Sequence, residues 1–357
     1  MIASVTVVGA SLAGLSTARA LREQGYEGRL TVVGDELHHP YDRPPLSKDY
    51  LAGTTERAEL DLLTADDDGL AADWRLGRTA VGLDAAGRAV LLDGGERIVS
   101  DAVVIATGAR ARRLPGPALS GVHTLRTVDD ATALRAELLP GVRLVLIGGG
   151  FIGAEIASTA CALGVDVTVV EALPVPLAGP LGGQVAQACA GLHGDHGVTL
   201  LVGIGVEGVL GDGRVRAVRL TDGCELPTDV VVVGIGAVPN VGWLASSGLT
   251  IDPVSGGVRT DAHCATEVPG LFAVGDCASP YRRYADRPLR LEHWTNALKQ
   301  PVTAAATLLG RPATVSTDHE VPYFWSDQYE SRLQFAGHQV EGDEVEIVEG
   351  DVDSRNF

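Results

Sequence analysis

Residues 144–171, LVLIGGGFIGAEIASTACALGVDVTVVE, constrain this chain more than any other stretch. The apolar run 144–147 meets Gly148-Gly149-Gly150-Phe151-Ile152-Gly153, small residues at helical spacing continue to Leu163, Gly164 stops them, and a second apolar run ends on Glu171. Strand, tight turn, helix, strand is the reading, and each glycine has its own task. Gly148 permits the sharp turn, Gly150 lets the backbone approach a pyrophosphate, and Gly153 lets helix and strand pack closely, with the helix N-terminus facing the phosphate charge. Glu171 then takes the adenosine ribose hydroxyls. Its carboxylate repels a 2′-phosphate, and no Lys or Arg follows it until Arg214, so the pattern predicts NADH rather than NADPH. A glycine turn in some other α/β protein is the competing reading; the strand before and the acid after favour the dinucleotide site.

The same unit opens the chain. An apolar strand at 5–8 leads into Gly9-Ala10-Ser11-Leu12-Ala13-Gly14, a helical pattern runs through Gln24 to a Gly25 stop, and the strand 30–33 ends in Gly34-Asp35-Glu36. Ser11 stands where a second glycine is frequent, but serine is small and can donate to a phosphate oxygen. Two such units imply two dinucleotides, one resident and one exchanging, and FAD with NADH is the natural pair. The halves match further. Residues 78–83, 89–92 and 101–105, with turns at 84–87 and 93–95, read as a small meander returning to a parallel sheet and ending in Ala106-Thr107-Gly108. A second meander at 200–226 leads to a strand at 230–233 and then Gly234-Ile235-Gly236-Ala237-Val238-Pro239-Asn240, so an ancient duplication is the economical account. Between them, proline-rich 114–117 reads as a linker. The buried strand 271–274 closes on Gly275-Asp276 ahead of an expected helix start; Asp276 sits either where ligands bind in a doubly wound sheet or as a helix N-cap.

At 357 residues and 45% hydrophobic content the chain can build two or three full cores. A net charge of -18 argues against sequence-independent binding to nucleic acid or an anionic membrane. The five cysteines, at 161, 189, 224, 264 and 277, form no closely spaced pair, which speaks against a disulfide framework, a metal site and a dithiol centre. No apolar run approaches the ~20 residues of a bilayer span, and no basic segment precedes the apolar N-terminus, so a cytoplasmic location is expected.

Only two of the 28 basic residues are lysines, Lys48 and Lys299. Lys48 closes the proline-stiffened loop PYDRPPLSK at 40–48, where a helix begins near Leu46; a compact point charge there suits the edge of a reduced, anionic flavin, against the alternative of a solvated surface lysine. The stretch 281–290, YRRYADRPLR, sets Arg282, Arg283, Arg287 and Arg290 in an acidic chain, a candidate dock for an acidic partner or a solvated face. Aromatics are only 4% of the chain yet gather at 323–329, YFWSDQY; Trp325 reads as core or as a flavin neighbour.

Taken together and in this order, PYDRPPLSK, the 144–171 unit, GIGAVPN at 234–240, LFAVGDCA at 271–278, LEHWTNALKQ at 291–300 and FWSDQYE at 324–330 resemble the FAD-dependent, NADH-specific ferredoxin and rubredoxin reductases of the putidaredoxin-reductase type, which serve oxygenases and bacterial cytochromes P-450. The resemblance implies an α/β, glutathione-reductase-like fold: two Rossmann-type dinucleotide-binding domains plus a C-terminal α/β domain. It divides the chain into an FAD domain at 1–112 and 241–318, an NAD domain at 113–240, and a C-terminal domain at 319–357 that is expected to be shorter than the family's. On the FAD side it assigns Gly9, Ser11, Leu12, Ala13 and Gly14, Asp35 or Glu36, Arg43, Lys48, the Val81 backbone near adenine, Ala106, Thr107 and Gly108, Arg126, Gly275, Asp276 at the ribityl chain and Trp294 near the ring. On the NAD side stand Gly148, Gly150, Phe151, Ile152, Gly153, Glu155, Glu171, Gly234, Ile235 and Gly236. No metal site is implied.

NADH delivers two electrons as hydride, whereas an iron–sulfur protein accepts one; a flavin does both. The expected activity is therefore hydride transfer from NADH to FAD, then single-electron transfer to a 2Fe–2S ferredoxin or a rubredoxin that serves a cytochrome P-450 or Rieske oxygenase. Lys48, Glu155 and Trp325 are the expected catalytic residues, with Glu155 pairing with Lys48 and orienting the nicotinamide amide; the alternative for Glu155 is favourable charge near a helix N-terminus. Two rivals remain. A disulfide or peroxide reductase, or an NADH oxidase, of this fold needs a reactive cysteine around 36–60, where the chain has none. A non-catalytic, NADH-responsive flavoprotein acting as an interaction module is the other.

Overall fold

The computed structural model describes residues 2–312, 316–317, 321–340, 342–352 and 355. The chain folds as two compact units: Met1–Asp42, Asp61–Arg110 and Val238–Phe324 form the first, and Arg43–Leu60, Ala111–Ala237 and Trp325–Phe357 the second.

In the first unit, five parallel strands lie in the spatial order Leu271–Ala273, Ala102–Ile105, Ser4–Val8, Arg29–Val33, Ala72–Arg75. Ser4–Val8 is buried along its whole length, as a central parallel strand covered on both faces must be. Helix Leu12–Glu23 and helix Trp294–Leu308 share one face: Leu15, Ala18 and Leu21 pack with Ala304, Ala305 and Leu308 over Val5, Val7 and Val32. On the other face Val8, Val33, Ile105 and Leu271 meet Leu83, Val90 and Leu92 from a three-stranded antiparallel sheet, Ala80–Asp84, Ala89–Leu92 and Arg97–Val99. The meander expected from the sequence thus contains one more short strand, at 97–99, before the chain re-enters the parallel sheet.

The second unit repeats this plan. Its five parallel strands run Thr199–Val202, Asp166–Glu171, Arg143–Ile147, Val230–Val233, Val122–His123. Its antiparallel sheet, Val206–Asp212, Arg214–Leu220 and Glu225–Pro227, covers one face through Val215, Val218 and Leu220 against Val145, Ile147, Val231 and Val233. Residues 200–202, the start of the expected meander at 200–226, belong instead to the parallel strand Thr199–Val202: Val169 pairs with Leu200 and Glu171 with Val202. A short apolar run looks alike in both roles, so only its partner strand decides.

Register aligns the strand ends. Val8 pairs with Val33 and Ile105, and Ile147 with Val170 and Val233, so each sheet presents its glycine turns along one carboxyl edge. In both sheets the chain steps outward from the central strand, Ser4–Val8 or Arg143–Ile147, and then returns to its other side, the switch point beside which open α/β sheets bind ligands. Among the described residues no helix is long and apolar enough to cross a membrane.

Candidate functional site

Each unit builds a glycine-lined cradle at its switch point. In the first, Gly9 has φ +124°, its N–H donates to the Val33 carbonyl (2.7 Å), and the Ala106 N–H donates to the Val8 carbonyl (2.7 Å). A Cβ on Gly9 would strike the Ala106 carbonyl oxygen, and one on Gly14 the Gly9 carbonyl oxygen. The glycines are therefore needed for close backbone approach. Ser11 is the N-cap of helix Leu12–Glu23, so the N–H groups of Leu12, Ala13 and Gly14 belong to the helix's first turn, which intrahelical bonds leave unsatisfied.

Beside this turn lies a cavity of about 280 Å³ walled by Val8, Gly9, Val33, Gly34, Asp35 and Trp243, with Arg78, Thr79 and Ala80 next to Val81. Of the two acids, Asp35 stands on the cavity wall, while Glu36 accepts a hydrogen bond from the Tyr41 hydroxyl at 2.5 Å. Thr107 and Asn240 lock each other: Thr107 Oγ1 donates to the Asn240 carbonyl (2.7 Å) and Asn240 Nδ2 to the Thr107 carbonyl (3.1 Å). Gly108, at φ +62°, accepts from the Asn240 N–H at 2.9 Å. Asn240 and Trp243 were not singled out from the sequence, although Asn240 ends a motif that was. The indole nitrogen of Trp243 is buried with no hydrogen-bond partner among the described residues, and a buried donor of that kind fits a wall that a polar ligand completes.

Gly275 and Asp276 reach the same edge, where a Cβ on Gly275 would approach the Ala13 side chain at 3.1 Å. Gln300 Oε1 accepts from the Gly275 N–H at 2.7 Å, fixing the turn from helix Trp294–Leu308. The helix start expected after Asp276 is absent: a single 3-10 turn, Gly275–Cys277, passes directly into strand Ala278–Arg282, which pairs with Val258–Thr260. Trp294, at the start of its helix and partly exposed, donates Nε1 to Asp42 Oδ1 at 3.0 Å. The basic stretch also changes on folding. Arg282 is only 1% exposed and donates to the Thr317 carbonyl, and Arg290 is tied to the Ser255 carbonyl (3.0 Å), the Asp276 carbonyl (3.2 Å) and Glu292 (2.5 Å). Of the four arginines, Arg283, in the 3-10 turn Arg283–Ala285, and Arg287 are the exposed ones.

The second cradle repeats the first contact for contact. Gly148 has φ +103°, its N–H donates to the Val170 carbonyl (2.8 Å), and the Gly234 N–H donates to the Ile147 carbonyl (2.8 Å). A Cβ on Gly148 would strike the Gly234 carbonyl, and one on Gly153 the Gly148 carbonyl, whereas one on Gly150 would meet only open space. Gly150 is the N-cap of helix Phe151–Ala162; Phe151 and Ile152 open its first turn, and Ile152 is exposed. Glu171 accepts from the Gly149 N–H and the Leu173 N–H, both at 2.8 Å, one on each oxygen. Each oxygen keeps lone-pair capacity for a hydroxyl. Ile235 and Gly236, the latter at φ +91°, follow Gly234 beside this turn.

Also in the second unit, Lys48 Nζ lies 2.8 Å from Glu155 Oε2 in a pair that is largely buried. Lys48 also donates to the Pro44 carbonyl at 3.1 Å, from the 3-10 turn Pro44–Ser47 that precedes the short helix Asp49–Ala52. Arg43 Nη1 donates to the Arg126 carbonyl (2.6 Å), and the Arg126 N–H donates to Asp130 (2.9 Å), so those two residues adjoin. Trp325 is half-buried. Two further residues touch Glu155 and were missed: Ser47 Oγ donates to Oε2 at 2.5 Å and Ser326 Oγ to Oε1 at 2.8 Å. Both serines lie inside motifs quoted from the sequence, but a serine in a loop carries no periodic signal.

A family model described as pyridine nucleotide-disulphide oxidoreductase matches residues 3–301, and one described as reductase C-terminal matches 323–357. The chlorobenzene dioxygenase ferredoxin reductase component of a Cupriavidus species is 41% identical over 98% of this chain and 84% of its own length. Rhodocoxin reductase of Rhodococcus erythropolis is 39% identical over 99% and 82%. Among solved structures, the covalent putidaredoxin reductase–putidaredoxin complex superposes with a TM-score of 0.91 at 36% identity, covering 98% of this chain and 84% of that one. The ferredoxin reductase for the CYP199A2 system from Rhodopseudomonas palustris gives 0.92 at 36% identity over 99% and 86%.

Proposed function

Because this chain belongs to the pyridine nucleotide-disulphide oxidoreductase family, we propose that it is an FAD-dependent NADH:ferredoxin reductase. It takes hydride from NADH and passes electrons one at a time to a 2Fe–2S ferredoxin or a rubredoxin serving an oxygenase, in the cytoplasm. The observation that carries this reading is the doubled cradle, with the same glycine contacts at the same switch point in each unit.

FAD supplies two-electron uptake and one-electron release when bound. The chain's own residues bind and orient. Gly9 to Gly14 with Asp35, Ala106 to Gly108 and Gly275-Asp276 hold the flavin dinucleotide in a domain formed by 1–112 and 241–318. Gly148 to Gly153 with Glu171 and Gly234 to Gly236 hold NADH in the domain at 113–240, and 319–357 belongs to the C-terminal domain. Glu171 admits a ribose with free hydroxyls and repels a 2′-phosphate. Lys48 keeps a positive charge for the anionic reduced flavin, and Glu155 holds Lys48 and orients the nicotinamide amide. Arg43, Arg126, Val81, Trp294 and Trp325 complete the cofactor environments, and Arg283 and Arg287 offer exposed positive charge to an acidic electron acceptor.

Cytochrome c reduction by the FAD-loaded protein, with NADH or NADPH and with or without a ferredoxin from the same source, tests this. A large stimulation by ferredoxin with NADH preferred is the expected result. Little turnover despite bound FAD would favour the interaction module. Lys48→Met should slow flavin reduction by NADH; an unchanged rate would remove the role given to Lys48.

A further inference from the structure

Helix Phe151–Ala162 carries Glu155, Ser158 and Thr159 on one face, at i, i+3 and i+4 spacing. Two segments remote in sequence take up all three. From 47–48, the Ser47 carbonyl accepts from Thr159 Oγ1 at 2.8 Å, while the Ser47 hydroxyl and Lys48 reach Glu155. From the C-terminal segment, the Tyr329 N–H donates to Ser158 Oγ at 2.6 Å and Ser326 reaches Glu155. Ser326 is fully buried, and Glu155 is 5% exposed.

Counting hydrogens decides what this network does. Ser326 Oγ has one hydrogen, and because Gln328 Nε2 donates to that oxygen at 3.2 Å, the hydrogen is left for Glu155. Glu155 therefore accepts from Ser326 on Oε1 and from Ser47 and Lys48 on Oε2. Lys48 is the one charged group in contact with it among the described residues. Three donors aimed at one carboxylate, two on one oxygen and one on the other, fix the direction in which it faces.

We propose that Ser326, backed by Gln328, is a positioning residue for the NADH reaction: with Ser47 it holds Glu155 in a single orientation, so the C-terminal segment tunes nicotinamide binding without itself touching the dinucleotide. This rests on the reading of Glu155 as the carboxylate that orients the nicotinamide amide. Removing the Ser326 hydroxyl takes away the donor on Oε1 and leaves the carboxylate held from the Oε2 side alone.

The test follows NAD⁺ affinity by calorimetry and flavin reduction by NADH in Ser326→Ala, Ser326→Thr, Gln328→Met, Glu155→Gln and the Glu155→Gln/Ser326→Ala double variant. In Ser326→Ala both should fall by about tenfold, the size expected for a lost hydrogen bond to a charged group. Ser326→Thr keeps the hydroxyl and should keep both, Gln328→Met should lower them part of the way, and the double variant should match Glu155→Gln alone. A Ser326→Ala protein with lowered Tm but unchanged affinity and reduction rate would make the serine merely structural and overturn the proposal. If Ser326→Ala does not fold, Gln328→Met decides by the same loss. Should Glu155→Gln itself leave affinity and reduction unchanged, the role of Glu155 falls; should it impair both while the serine variants shift nothing, only the positioning role falls.

Discussion

The cradles at Gly9–Gly14 and Gly148–Gly153 are built by the same backbone contacts and finished by different side chains. Gly9 meets Ala106 as Gly148 meets Gly234, and Gly14 meets Gly9 as Gly153 meets Gly148. The acid that follows differs. Asp35 stands on a cavity wall with Glu36 drawn off to Tyr41, whereas Glu171 reaches back to the N–H of Gly149 in its own turn. Backbone geometry thus makes the same cradle twice, and the side chains outside the glycines make the two cradles differ.

The largest effect should come from the paired glycines. Gly14→Ala and Gly153→Ala each push a methyl into a backbone carbonyl, a loss of about 3 kcal/mol in the unit concerned. Gly14→Ala should purify depleted of flavin, and Gly153→Ala should purify yellow but respond weakly to NADH. If both variants failed in the same way, the two cradles would not be separate sites.

Acid should then set the units apart. Burial, with the neighbouring His196 adding to it, lowers the His193 pKa to about 4, while its Nδ1 lies 2.7 Å from the Tyr329 hydroxyl. A depressed folded pKa means that the unfolded chain takes the proton first. The stabilisation is present above pH 6.5 and is lost as pH falls toward about 4, by about 3 kcal/mol in full. His196, whose pKa is raised mainly by its bond to the Leu192 carbonyl, works in the opposite sense, but it is more exposed and so weaker. Hydrogen exchange in helix Gly183–Asp195 should therefore accelerate between neutral pH and pH 4 more than in helix Leu12–Glu23, and His193→Gln should flatten the difference.

Glu171→Ala comes next. Losing a charged acceptor for ribose and for two backbone donors should weaken NADH binding by about 10- to 100-fold. NADPH should gain little, since Arg214, the next basic side chain, is paired with Glu137. A direct comparison of the two nucleotides' KM values checks both statements. Smallest is Ser11→Gly, which makes the first turn more like the second. Ser11 does not cap its helix through its side chain, so stability should change by only a few tenths of a kcal/mol, measurable by thermal unfolding.

Much of this was legible because glycine at a strand-to-helix turn reports backbone geometry directly. Gly148, Gly153 and the acid at Glu171 could be placed from spacing alone, as could the doubling of the unit. The Glu155–Lys48 pair was expected from the resemblance, and the structure brings those two side chains together. Ser47, Ser326, Asn240 and Trp243 were not read, because their meaning depends on partners as far away as 171 residues in the chain. The fate of Arg282 was misread for a related reason: a charge run looks solvated until a strand turns one of its members inward.

The sequence by itself determined the local units, meaning strands, turns, helices and their duplication, since these follow from short-range sterics and hydrophobic period. Only the tertiary structure decided which strand lies beside which, whether 200–202 joins a meander or a parallel sheet, and which hydroxyls close on Glu155. Those choices are made by burial and by the demand that every buried polar group find a partner, and both depend on residues that meet only when the chain is folded.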